Sequence, residues 1–276
     1  MPSIRIMDAT IAYTDTGRGD TVFAIHGSAS SRRMWQPLVE RLAASYRVVA
    51  PDLIGYGEST PWRPDLQATD FDVIATFARE LDCPLHVVGH SYGGALALRA
   101  ALAGGSRVTS LALIEPAAFQ VLDHNADGAA FAEIEAVASR HLELVAEGDL
   151  HACAAHFMGY WIGAETWAGM PADTRARLTA TMPKIAAEFR LLFRDRARRD
   201  DPRRARVPTL LVRGTRTTFA ARTVCERLAA TIPNAALLEI EGAGHMLTVT
   251  HAARVNEAIA AHLAQAEAET LSDEAA

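Results

Sequence analysis

Lysine is almost missing from this chain: of 27 basic residues, Lys184 alone is a lysine. That scarcity disfavours functions that need a placed lysine. No G-x-x-x-x-G-K loop is available to cradle phosphate, and no lysine motif offers Schiff-base chemistry. Cysteine is sparse as well. Cys83, Cys153 and Cys225 lie far apart in apolar or helical contexts and read as reduced packing residues. Long hydrophobic runs are missing: none approaches the ~18 to 20 residues that span a bilayer. Residues 1–8 lack the apolar segment of a secretory signal. A cytoplasmic protein with no membrane partner is therefore expected. The net charge is −6, and Glu267, Glu269, Asp273 and Glu274 at the C-terminal end read as a frayed acidic tail.

Half of the 276 residues are hydrophobic, enough for a large core in one or two domains. Two short strands are expected over residues 3–15, and further strands at 21–25, 46–50, 84–88 and 108–114. Helical spacing appears at residues 34–44, 71–81 and 95–103. After Pro116 the rhythm changes, and residues 119–200 show helical pattern only. Strand and helix then alternate again: strands at 208–212 and 235–240, helices at 222–231 and 247–264. Alternation of this kind argues a parallel sheet covered on both faces. The expected organisation is a core of residues 1–118 and 201–276, with an inserted helical cap at 119–200. Ligands of open α/β sheets bind at the C-terminal strand ends, which such a cap would cover. Residues 194–206 hold seven arginines and three aspartates. Mixed signs and Pro202 suit an exposed hinge there rather than a nucleic-acid patch.

The densest chemical signal is Gly89-His90-Ser91-Tyr92-Gly93-Gly94, between an apolar strand and an Ala/Leu-rich helix. A serine between glycines at that junction is the pattern of a nucleophile elbow, whose tight turn tolerates only small neighbours. A serine nucleophile needs a base and a site for the oxyanion. His245 is the candidate base, in Glu241-Gly242-Ala243-Gly244-His245-Met246 after the last strand. His86 and His262 read as packing or surface residues, and His251 as a weak reserve. His90 shares the serine's turn, so its side chain should point away. For the oxyanion, the N–H groups of Tyr92 and of Ser28, in His26-Gly27-Ser28, are the candidate donors. His151, Cys153 and His156 scatter over more than one helical face with no fourth ligand, so no metal and no cofactor are expected.

These motifs, with Pro51-Asp52-Leu53-Ile54-Gly55-Tyr56-Gly57-Glu58-Ser59, resemble the alpha/beta-hydrolase fold superfamily. The resemblance covers nearly the whole chain outside the cap. It implies a mostly parallel eight-stranded sheet and a serine–histidine–acid triad. It also implies Ser91 as nucleophile, His245 as base, and Ser28 and Tyr92 as oxyanion donors. The acid departs from the family's pattern. An aspartate is expected about three residues past Gly214, where Thr217 stands, and no carboxylate follows before Glu226. Glu115 is the best replacement. It ends the strand that in this fold lies between the nucleophile strand and the strand ending at Gly214, and Pro116 should keep it extended. Asp52 reads as a loop-fixing carboxylate.

The expected activity is a serine hydrolase cleaving a small or medium ester or lactone through an acyl-enzyme on Ser91. Carbon–carbon bond hydrolysis, acyl transfer and perhydrolysis use the same residues and stay open. So does a ligand-binding sensor without turnover, motivated by the missing aspartate. Haloalkane dehalogenase and epoxide hydrolase chemistry would require aspartate at position 91. Trp161 and Trp167 are candidates to line an apolar substrate pocket, or to form the cap's own core.

Overall fold

The computed structural model describes residues 2–104, 107–194 and 201–274. Its strands are β1 (Ser3–Ile6), β2 (Ala9–Gly17), β3 (Asp20–Ile25), β4 (Tyr46–Pro51), β5 (Leu85–His90), β6 (Val108–Ile114), β7 (Thr209–Gly214) and β8 (Ala235–Ile240). They form one sheet in the order β1-β2-β4-β3-β5-β6-β7-β8. The β2 strand is antiparallel to both neighbours, and every pair from β4 across to β8 is parallel.

Side chains of a strand alternate between faces, so each central strand feeds two cores. Val22 and Ala24 of β3 join Val48, Val88, Ala112 and Val212 on one face. Helices α1 (Gln36–Leu42) and a C-terminal helix cover them with Leu38, Leu42, Val255, Ile259 and Leu263. Phe23 and Ile25 join Val49, Val87, Leu111 and Leu211 on the other face. There α2 (Asp70–Glu80), α3 (Tyr92–Gly104) and α9 (Phe219–Thr231) supply Ile74, Phe77, Leu96, Leu98, Val224 and Leu228. Thr69 caps α2 in a reciprocal capping box with Asp72, which starts the helix one residue before its periodicity does.

Between β6 and β7 stand helices α4 (Gly128–Glu147), α5 (Leu150–Ile162), α6 (Ala164–Gly169), α7 (Ala172–Thr179) and α8 (Met182–Arg194). The expected hinge at 194–206 falls partly outside the described residues, at 195–200. No described helix is long and apolar enough to cross a membrane.

Two expectations need correction. The closing helix is not continuous: α10 (Leu247–Thr250) ends at His251, and α11 (Ala252–Glu274) follows. The acidic end is not frayed up to Glu274, because α11 runs that far and brings a Glu267 carboxylate oxygen 3.5 Å from His86 Nε2.

Candidate active site

Parallel strands in register deliver their following loops to one edge of the sheet. Ile25 pairs with Gly89, His90 with Ile114, Ile114 with Val212, and Gly214 with Ile240. Ser28, Ser91, Glu115, Thr217 and His245 all follow those pairs.

Ser91 sits between β5 and α3 with φ of +54°, a left-handed conformation that costs a non-glycine residue about 1–3 kcal/mol. The surroundings hold it there. Its N–H donates to the Ile114 carbonyl at 2.9 Å, and its own carbonyl accepts from Gly94 and Ala117 N–H, each at 2.9 Å. The flanking glycines allow close backbone packing. A Cβ on Gly93 would lie 2.3 Å from the carbonyl oxygens of His26 and Ile25, and one on Gly89 2.3 Å from Gly93 O.

The His245 loop is fastened to the turn after β7. Arg216 N–H donates to Ala243 O at 2.9 Å, and Gly242 N–H to Thr215 Oγ1 at 2.9 Å. This places the imidazole between two partners: Nε2 is 2.9 Å from Ser91 Oγ, and Nδ1 is 2.7 Å from Glu115 Oε2. An ionised carboxylate only accepts, so Nδ1 carries the proton that it donates to Glu115. Nε2 is then left to accept from the serine hydroxyl.

Glu115 is 1% exposed. Its second oxygen accepts from Gly214 N–H at 2.8 Å, and Oε2 also accepts from Thr217 Oγ1 at 2.6 Å. Burial alone would raise this carboxyl. The hydrogen bonds from His245, Gly214 and Thr217 outweigh it and hold the group below the ordinary carboxylate range. Thr217 therefore stands beside the carboxylate as a donor to it. The backbone of Glu115 is not extended as Pro116 led us to expect: φ is +41°. Its N–H bonds Val212 O while Ala117 N–H, two residues on, reaches Ser91 O, so the chain turns back sharply between them.

His90 does not point clear of the site. Its ring lies 5.0 Å from that of His245, and Nε2 donates to the His245 carbonyl at 2.9 Å. Its neighbour Ser91 leaves the strand in a left-handed turn, which swings the two rings together. Burial, then the adjacent His245, push the His90 imidazole down to about 3, so it stays neutral and holds the loop. His26 does similar work on the other side: Nδ1–H donates to Gly27 O at 2.7 Å and Nε2 accepts from Leu53 N–H at 3.0 Å. Asp52, fully buried, accepts from Arg32 N–H and Glu58 N–H, each at 2.8 Å, and from the Arg32 guanidinium. His86, His251 and His262 make other contacts: His86 meets Ser110, His251 meets Thr250, and His262 donates to Leu111 O. Cys153 donates to His141 O and His156 to Val137 O, so these two and His151 do not converge as ligands.

Two small cavities flank Ser91, and Ser28, Phe157 and Trp161 line both. The smaller one, about 20 Å³, adds Tyr92, Ile185 and Glu188. The larger one, about 80 Å³, adds His90, His245 and Met246. Trp161 of α5 lies over the imidazole, its ring centroid 4.0 Å from that of His245. Trp167 does not join it. That residue is buried on α6 and lines neither cavity. Sequence reasoning missed Glu188 and Lys184 of α8, both buried against this site. The available signal was their i, i+4 spacing on the face that also carries Ile185, Phe189 and Leu192.

Comparison with known proteins agrees with this fold. A haloalkane dehalogenase of Mesorhizobium japonicum is 35% identical over 117 residues, 41% of this chain and 37% of the relative. A pimeloyl-acyl-carrier-protein methyl ester esterase of Aliivibrio salmonicida is 35% identical over 106 residues, 38% of this chain and 39% of the relative. The matches thus span well under half the length of these relatives. Among solved structures, a hydrolase from Pseudomonas aeruginosa PA01 superposes with a TM-score of 0.75 at 24% identity, covering 95% of this chain and 97% of that one. The sequence profile of the alpha/beta hydrolase family matches residues 22–258. The chain belongs to the alpha/beta hydrolase family.

Proposed function

We propose that the chain hydrolyses esters or lactones of small, uncharged acyl groups through an acyl-enzyme on Ser91. The observation that carries this reading is the unbroken hydrogen-bonded line Ser91–His245–Glu115 at the strained turn. Ser91 Oγ attacks the carbonyl while His245 Nε2 takes its proton. Glu115 keeps the imidazole in the tautomer that can do so and stabilises the imidazolium. The oxyanion sits between the N–H groups of Ser28 and Tyr92. Tyr92 opens α3, so its N–H has no acceptor within the helix. His245 then gives its proton to the leaving oxygen, and water activated by the same imidazole clears the acyl group.

The two cavities divide this work. A leaving group must lie beside His245, so it takes the larger cavity, which that ring lines. The acyl group then takes the smaller one, which favours short chains. Helices α4 to α8 serve as the cap, with Trp161 as the wall between the cavities and Trp167 as part of the cap's core. Dehalogenation is disfavoured by chemistry. A serine that displaced halide would form an alkyl ether, which this site has no means to hydrolyse. The esterase name of the Aliivibrio salmonicida relative is in keeping with the reading.

The test is intact mass after incubation with a fluorophosphonate, for wild type and Ser91→Ala, followed by turnover on acetyl and octanoyl esters of one phenol. A single adduct on wild type alone, with multiple turnovers and the acetyl ester preferred, is expected. An unlabelled but folded wild type, or one that labels and stops after a single turnover, overturns the reading in favour of a binding protein.

A further inference from the structure

The chain's one lysine is not on the surface. Lys184, on α8, is 6% exposed, and its ammonium pairs with Asp70 of α2 and, at 3.2 Å, with Glu188 one helical turn on. The rings of Tyr56 and Tyr92 flank the ammonium at 5.7 and 5.4 Å. Burial works against the lysine's charge, but Asp70 and Glu188 outweigh it and hold Lys184 above the ordinary lysine range. Burial also pushes the Glu188 carboxyl up, with Lys184 restraining it.

Each carboxylate reaches onward. Glu188 accepts from the Ser28 hydroxyl and, at 2.7 Å, from Tyr56 OH. Asp70 accepts from Tyr92 OH at 3.0 Å and from Ile54 N–H at 3.1 Å. The two residues whose N–H groups would receive the oxyanion are therefore tied, by their side chains, to the two carboxylates of one cluster. Lys184 joins those carboxylates. As a stabilising device a buried ion cluster is weak, because desolvation offsets most of the attraction. Its geometric effect is specific: it links both donor residues to a helix that lies over the site.

We propose that the Asp70–Lys184–Glu188 cluster is a positioning device that sets Ser28 and Tyr92 so that their N–H groups converge on the oxyanion. The proposal rests on the serine-hydrolase reading above. Seating of α8 is then a condition for a competent oxyanion site. The oxyanion exists only in the transition state and the tetrahedral intermediate. A misplaced donor should therefore lower kcat and leave KM nearly unchanged.

The experiment measures kcat per titratable Ser91, KM and thermal midpoint on an acetyl ester. The variants are Ser28→Ala and Tyr92→Phe, each of which removes one tie and keeps its N–H. Glu188→Gln and Glu188→Leu are compared alongside. Each of the first two should lower kcat about tenfold, and the pair together about 100-fold, with KM within about twofold of wild type. Glu188→Gln, which keeps an acceptor for Ser28, should retain more kcat than Glu188→Leu. If Glu188→Leu fails to fold, Ser28→Ala and Tyr92→Phe decide alone. Wild-type kcat per titrated site in both of them overturns the positioning role while leaving the hydrolase reading intact. So does a loss confined to folding or KM. A wild type whose Ser91 does not label overturns both.

Discussion

Glu115 shows how one carboxylate can serve a distant histidine from an unusual place. Three donors converge on it, from His245, Gly214 and Thr217, and they hold it ionised although it is buried. Glu115→Gln should therefore lower kcat by roughly 10³ to 10⁴, because the amide no longer fixes the imidazole tautomer. Thr217→Ala removes only one donor, and its cost should stay below about tenfold. It should also raise the Glu115 carboxyl, because one of the hydrogen bonds that hold it low is gone. Steady-state kinetics across pH check both, and the reverse ranking would transfer the acid's role elsewhere. The position of Glu115 was legible in the sequence because it follows from strand order: β6 lies between β5 and β7. Its left-handed backbone was not, since the preference of a residue before proline gives way to the hydrogen bonds on either side of the turn.

Among the elements, the β5–α3 junction depends on backbone packing that only glycine permits. A Cβ on Gly93 would meet two carbonyl oxygens of β3 and its turn, neither of which is the end of a flexible side chain. Gly93→Ala is expected to cost about 3 kcal/mol in urea unfolding and to abolish fluorophosphonate labelling. Gly159, inside α5, is the contrast. Nothing lies within 4 Å of its Cβ position, so Gly159→Ala should stabilise by up to about 1 kcal/mol. Equal stabilities for the two variants would mean that the elbow is not packed against β3 as described. The junction could be read from the chain because its glycines fall within six consecutive residues. The face that α8 presents to the core could not. Periodicity marks a helix from Lys184 to Leu192, but the partners Ser28, Asp70 and Tyr92 are remote in sequence and only the fold brings them near.

For the whole molecule, burial of histidine sets the response to acid. His26, His86, His90, His141 and His262 are all held below the ordinary histidine range, first by burial. His90 lies at about 3 and His141 at about 4. An unfolded histidine takes a proton near pH 6.5, whereas these do so in the folded chain only at lower pH. Between those limits the unfolded state binds more protons, so stability falls as pH falls, by about 1.4 kcal/mol per pH unit for each histidine fully in its window. Glu188 acts in the opposite sense. Its raised carboxyl favours the folded state at low pH, and that contribution is lost as pH rises through its folded value. One such group does not offset five histidines. Glu115, held low, adds to the loss only once pH falls below the ordinary carboxylate range. Urea unfolding from about pH 7.5 to about pH 4.5 should therefore show a steep decline beginning near pH 6.5, well above where carboxylates titrate. His141→Gln is the control. It can keep the hydrogen bond to the Met182 carbonyl that His141 Nε2 makes at 3.0 Å, but it does not titrate. The slope should flatten by the equivalent of about one proton in that variant. A stability that stays level between about pH 7 and about pH 5 would mean that these rings are not buried as neutral imidazoles, and with them the neutral role given to His90 behind the His245 loop would fall.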